Sequence, residues 1–194
     1  MPTKINQIVF LGNSITDNCE WAELFQNSKI VNRGIGGDVI VNITSRIDNV
    51  FISQVDKIFL MIIVNHLQRG YTMIEIIKQY DLLPYTIKKK SSNAKVYIQS
   101  VLPVDIEGFN HLEVIKLNLE IAELAHKYNF IYVNLFDKLK SKDGKLDEKY
   151  SDDGMYLNGA SYLVWKNAIL DLVNDSMLTP KMSDIGNVLI SIAV

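Results

Sequence analysis

The chain has few of the residues that build cross-linked, metal-bound or membrane-spanning proteins. Its 194 residues include one cysteine, Cys19, which excludes an internal disulfide and any multi-cysteine metal site. Histidine occurs 3 times and proline 4 times. No apolar run reaches the roughly 18 residues of a membrane span. Residues 188–194, though apolar, fall far short of that and read as a terminal strand or a frayed end. An excess of one charge sign is missing as well. The 20 Lys and Arg against 22 Asp and Glu leave a net charge of −2, with no electrostatic footprint for nucleic acid or an anionic membrane. The single basic run, Lys88-Lys89-Lys90, falls where a helix would end and complements the helix dipole there. Residues 1–4 lead into a first strand without the apolar core and cleavage site of a signal peptide, so a cytoplasmic location is expected.

What is present is an ordinary globular composition, 48% hydrophobic, in a length that suits one domain with a sizeable core. The expected organisation is a single domain over 1–194, with a core over about 5–174 and a C-terminal extension over 175–194. There is no repeat, low-complexity segment or linker.

Five short apolar runs alternate with helical patterns. The first, Ile8-Val9-Phe10-Leu11, stops at Gly12 and delivers Ser14 two residues later. In open α/β sheets ligands bind at the carboxyl ends of the strands, and a serine on a strand-to-helix turn is placed there for nucleophilic attack. The alternative is that Ser14 caps a helix starting near Asp17 or Cys19. Residues 29–32 read as a second strand running into Gly34-Ile35-Gly36-Gly37-Asp38, and 39–52 as a helix. Residues 57–64 are too densely apolar to alternate, as expected of a central parallel strand covered on both faces. Residues 72–90 are helical in pattern, with Pro84 expected to kink or split the helix. Further strands are expected at 95–101 and 131–133. Helices are expected at 112–125, at 135–139 and after Asn158, the last with Tyr162, Trp165, Ile169, Leu172 and Val173 inward. Strands alternating with helices imply a parallel sheet covered on both faces.

Four blocks of this pattern together resemble the SGNH hydrolases, also called GDSL-type esterases and lipases, over about residues 5–173. Gly12-Asn13-Ser14-Ile15-Thr16 resembles the block that carries the nucleophile. Asn32-Arg33-Gly34-Ile35-Gly36-Gly37-Asp38 resembles the second block, Ile63-Val64-Asn65-His66 the third, and Asp153-Gly154-Met155-Tyr156 the fifth. The resemblance implies a flavodoxin-like three-layer α/β/α sandwich with a five-stranded parallel sheet in order 2-1-3-4-5. It also implies a serine that attacks small acyl esters, with no cofactor and no metal. Ser14 would be the nucleophile, and the Ser14 and Gly37 backbone N–H groups with the Asn65 side chain would form the oxyanion hole. Asp153 would orient the base.

The blocks depart from the family at the base itself. Tyr156 stands where the family has histidine, and a phenol, protonated at neutral pH, is a poor general base. Its hydroxyl is expected to hydrogen-bond near Ser14 or Asp153. Ile63 replaces a glycine, which is expected to crowd the acyl pocket, and His66 replaces an aspartate. His66, next to Asn65, is the one possible surrogate base; the alternative is a neutral histidine bonded to a neighbouring loop. His111 and His126 read as helix-end surface residues, and His111 could also line a substrate cleft. A dinucleotide loop at Gly34-x-Gly36 is disfavoured, because Val39 takes the third glycine position and Asp38 would repel phosphate. The remaining contest is between a slow esterase and an inactive relative that binds a ligand. Neither the acyl group nor the oligomeric state is legible.

Overall fold

Period-2 alternation along the strands divides the apolar residues between two layers. The computed structural model describes residues 6–91 and 93–174. In chain order the elements begin β1 (Gln7–Gly12), α1 (Ser14–Asp17), α2 (Trp21–Phe25), β2 (Ile30–Gly34), α3 (Ile40–Ser45) and α4 (Ile47–Val50). β3 (Val55–Met61), α5 (Val64–Gln68), α6 (Met73–Lys90), β4 (Lys95–Gln99) and α7 (His111–Lys127) follow. β5 (Ile131–Val133), α8 (Phe136–Leu139), a 3-10 turn at Glu148–Tyr150 and α9 (Gly159–Asn174) complete the described chain. The five strands form one sheet in the order β2-β1-β3-β4-β5, and every adjacent pair is parallel. The fold is the expected three-layer flavodoxin-like sandwich.

Val9 and Leu11 of β1, Ile58 and Leu60 of β3, and Val96 and Ile98 of β4 face one side, where Ile40, Ile43, Ile76, Leu83 and Leu117 cover them. The intervening Ile8, Phe10, Phe59, Met61 and Tyr97 face the other side, under Ile15, Trp21, Trp165 and Ile169. Across that second face the rings of Trp21, Phe10, Phe59 and Tyr97 stack in sequence, with centroids 4.3, 5.0 and 4.5 Å apart. Each such pair adds about 0.5–1.5 kcal/mol beyond area burial.

Four sequence expectations are corrected. Pro84 does not split α6, which runs unbroken over Met73–Lys90. The buried face of Ile76, Tyr80, Leu83, Pro84 and Ile87, with the Thr72–Glu75 capping box, outweighs the lost backbone bond. The helix expected at 39–52 is two short ones, because Arg46 leaves helical geometry at φ −102° and ψ 9°. β3 ends at Met61 and not at 64, because Ile63 turns the backbone to φ 129° and opens α5. β4 likewise ends at Gln99 and not at 101. The reading of 188–194 as a terminal strand or frayed end lies outside the described residues, as does the extension over 175–194.

Candidate active site

The Ser14 turn is made by close approach. A Cβ at Gly12 would stand 2.2 Å from Thr16 Oγ1 and 2.3 Å from the Met61 carbonyl, so only glycine lets α1 fold back over the end of β1. Asn13, not Ser14, caps α1: its Oδ1 accepts from the Ile15 N–H at 3.1 Å. The capping alternative for Ser14 is thereby corrected. As the first helical residue, Ser14 has a backbone N–H without an intrahelical partner. Its side chain is almost buried, and its hydroxyl makes no hydrogen bond among the described residues. Asn32 on β2 gathers the far end of the turn. Its Nδ2 donates to the carbonyls of Thr16, Asp17 and Cys19 at 3.0–3.1 Å, and its Oδ1 accepts from Gly34 N at 2.8 Å.

The loop after β2 carries Gly37 at φ 79° and approaches the serine turn: a Cβ at Gly36 would lie 4.0 Å from that of Ser14. Two groups hold this loop. On one side Arg46 donates to the Asp38 carboxylate at 2.8–2.9 Å and to the carbonyls of Arg33 (2.9 Å) and Gly12 (3.4 Å). On the other side α5 and its capping residue Arg69 supply three contacts. Asn65 Nδ2 donates to the Asp38 carbonyl at 2.8 Å, Arg69 donates to the Gly37 carbonyl at 2.8 Å, and His66 Nε2 accepts from Ile40 N at 3.3 Å. One N–H of the Asn65 amide is thus spent on the loop, and the amide has a second to offer.

The fifth block sits at the same end of the sheet. The Gly154 carbonyl accepts from Asp105 N at 2.7 Å, and Gln68 at the end of α5 donates to Met155 Sδ at 3.2 Å. Asp153 turns inward on its own loop, its Oδ1 accepting from Met155 N (2.9 Å), Tyr156 N (2.7 Å) and Ser151 Oγ (3.2 Å). Those backbone donors, Met155 first, hold its carboxyl below the ordinary aspartate range. Tyr156 is 43% exposed, and its hydroxyl has no partner among the described residues, so the hydrogen bond expected near Ser14 or Asp153 is not made. The phenol stays in water.

The Ile63 side chain is fully buried in the layer that contains Ile40 and Ile58. A small apolar cavity beside the serine turn, about 10 Å³, is lined by Asn13, Ile15, Ile62, Val64 and Leu102 among others. Asn65 and His66 lie in the helical turn of α5 that follows β3. His66 is fully buried, and its Nε2 accepts from the Ile40 N–H at 3.3 Å, the kind of contact expected of a neutral histidine bonded to a neighbouring segment. His111 opens α7 half-buried, 3.5 Å from the position of a Cβ at Gly144, and His126 is exposed in the last turn of α7. Among the described residues, no three His, Cys, Asp or Glu side chains gather as a metal ion needs.

Arg46 and Arg69 carry the site's scaffolding without having stood out in the sequence, and Asn32, which opens the second block, had no role assigned there. Arg69 had a usable signal, since it follows Asn65 by four residues on one helical face. Arg46 had none, because its partners are brought to it only by the sheet.

A parallel 2-1-3-4-5 sheet with a serine turn after β1 and a glycine loop after β2 defines an acylhydrolase scaffold. The description "GDSL-like Lipase/Acylhydrolase family" matches residues 10–164, and the chain belongs to that family. Among solved structures, it is similar to a candidate platelet activating factor from Streptococcus pneumonia. The identity is 26% and the TM-score 0.80, covering 89% of this chain and 86% of the other. A GDSL-like lipase from Bacteroides thetaiotaomicron shares the fold at 19% identity and a TM-score of 0.76, covering 91% and 92%. An N-acylneuraminate cytidylyltransferase from Escherichia coli O18:K1:H7 is 35% identical over 89 residues, 45% of this chain. The chain spans about a fifth of that relative's length, 20%.

Proposed function

We propose that this acylhydrolase scaffold acts on small acyl esters with severely reduced turnover, because no base stands beside Ser14. Attack by a serine needs a group to take the hydroxyl proton and donors aimed at the developing oxyanion. The backbone N–H groups of Ser14 and Gly37 and the side chain of Asn65 supply the donors, while Asp153 and Tyr156 stand in the places of the orienting carboxylate and the base. The observation that carries the reading is the state of the fifth block, with the Asp153 Oδ1 taken up by its own loop and Tyr156 exposed. The same observation favours a second reading, an inactive relative that only binds a ligand. We place the protein in the cytoplasm with a small ester as its partner, and with neither nucleic acid nor membrane.

The test is kcat/KM on a short-chain chromogenic acetate for the parent, Ser14→Ala and Tyr156→His. A general base contributes about 10²–10⁴-fold, and residues of a triad act as a unit. The parent is therefore expected to be slow, and Tyr156→His to recover part of the rate. A parent rate typical of esterases that vanishes in Ser14→Ala would refute the missing base. A Tyr156→His variant as inert as Ser14→Ala would select the ligand-binding reading.

A further inference from the structure

α3 begins badly. Its capping residue is Val39, whose side chain accepts no hydrogen bond, and the Val39 amide itself is taken by Asn42 Oδ1 at 3.0 Å. The Ile40 amide that follows is one of the helix's orphan donors, and the acceptor that reaches it is an imidazole from another element, His66 Nε2 at 3.3 Å. We propose that His66 is a positioning residue for the oxyanion-hole loop: its neutral ring caps α3 from outside and so holds the turn at Gly37 and Asp38 against Asn65. The proposal rests on the acyl-ester reading for the roles of Gly37 and Asn65, and on geometry alone for the cap.

An imidazole that accepts at Nε2 carries its proton on Nδ1, and an imidazolium has no lone pair to accept with. The cap therefore exists only in the neutral form. The surroundings keep it so. The ring is fully buried, and its Nδ1 is without a hydrogen-bond partner. Burial is the chief cause that lowers its affinity for a proton, and the Arg69 cation on its own helix adds to it. Gln79 of α6 and the Ile63 backbone lie close enough to favour the charged form, but neither is in hydrogen-bond geometry with Nδ1. From the loop after α5 the Tyr71 ring meets the imidazole edge-on at 5.2 Å. On the clamped loop the Asp38 carboxylate is paired with Arg46 at 2.8 Å. The folded ring thus refuses a proton that the unfolded chain accepts below the ordinary histidine value of about 6.5. The stabilisation it contributes is complete above that pH and is lost as pH falls through the lower folded value.

The test compares the wild type with His66→Gln, whose Oε1 replaces Nε2 as an acceptor that does not titrate, and with His66→Ala, which has no acceptor. The primary readout is amide hydrogen exchange at Ile40 between pH 7.5 and 5, corrected for the intrinsic exchange rate. Wild-type protection is expected to fall below about pH 6.5, that of His66→Gln to stay level, and His66→Ala to exchange roughly fivefold faster at pH 7.5, the loss of one hydrogen bond. Wild-type protection that is flat with pH would overturn the proposal, as would a His66→Gln variant that keeps the acid loss. If His66→Ala does not fold, the contrast between wild type and His66→Gln still decides. Exchange needs no turnover, so an absence of acetate hydrolysis counts against the acyl-ester reading and leaves the cap to be judged on Ile40.

Discussion

Ile63 stands at φ 129° and ψ −41° with its side chain fully buried, a β-branched residue in backbone territory that glycine occupies freely. Such strain costs about 1–3 kcal/mol, while a buried isoleucine stabilises by about 2–5 kcal/mol relative to alanine. Packing therefore outweighs strain. Ile63→Ala loses the packing and keeps the strain, whereas Ile63→Gly loses the packing and sheds the strain. The Gly variant should then be more stable than the Ala variant by about 1 kcal/mol, reversing the usual order, and urea midpoints of the two report it. An Ala variant at least as stable as Gly would remove the strain argument. Neither change is expected to speed ester hydrolysis, because the side chain is fully buried in the layer with Ile40 and Ile58. Cys19 supplies a second expectation at this scale. Burial, with Glu20 beside it, pushes its thiol up to about 12, so the native protein should resist alkylation at pH 8 and react once unfolded.

The second-block loop is a piece of irregular chain held by its neighbours. Arg46 ties the Asp38 carboxylate to carbonyls at the ends of β1 and β2, and the pair is largely withdrawn from solvent, with side chains 16% and 11% exposed. Removing one partner of such a pair leaves the other charge and two carbonyls uncompensated. Arg46→Ala should cost about 3 kcal/mol in urea unfolding. Arg46→Lys should recover only part, because an ammonium cannot span the three acceptors as a guanidinium does. A loss below 0.5 kcal/mol, the surface-pair scale, would show that α5 holds the loop alone. Pro84 shows the same dependence on neighbours in reverse. A residue that breaks isolated helices sits inside α6 because its ring is buried with Leu83 and Ile87.

Across the molecule, the stack Trp21-Phe10-Phe59-Tyr97 runs over three strands beneath α2 and α9, and Trp165 of α9 donates to Gln99 of β4 at 2.7 Å. Lys57, 3% exposed on central β3, donates to the carbonyls of Leu172 and Val173 at 2.8 and 2.9 Å. The ammonium thus closes the last turn of α9, where the helix dipole favours a cation. Lys57→Met should lower stability by about 1–3 kcal/mol and speed amide exchange in the last turn of α9 while leaving α6 protected. Equal acceleration in both helices would mean that the lysine serves the whole core and not this helix end.

The strands and the block residues at their carboxyl ends were legible in the sequence, because hydrophobic period, glycine position and the spacing of Ser14, Gly37, Asn65 and Asp153 are local or repeat at fixed intervals; the strand order came only through the family that those blocks resemble. The family followed from the same residues. Four things were settled only in the structure: the cap that falls to Asn13, the inward turn of Ile63, the outward ring of Tyr156 and the lone pair of His66 spent on Ile40. The Asn13 cap is a local contest settled within two residues, whereas the other three turn on partners that lie far apart in the chain, which only the assembled sheet brings within hydrogen-bond or van der Waals reach.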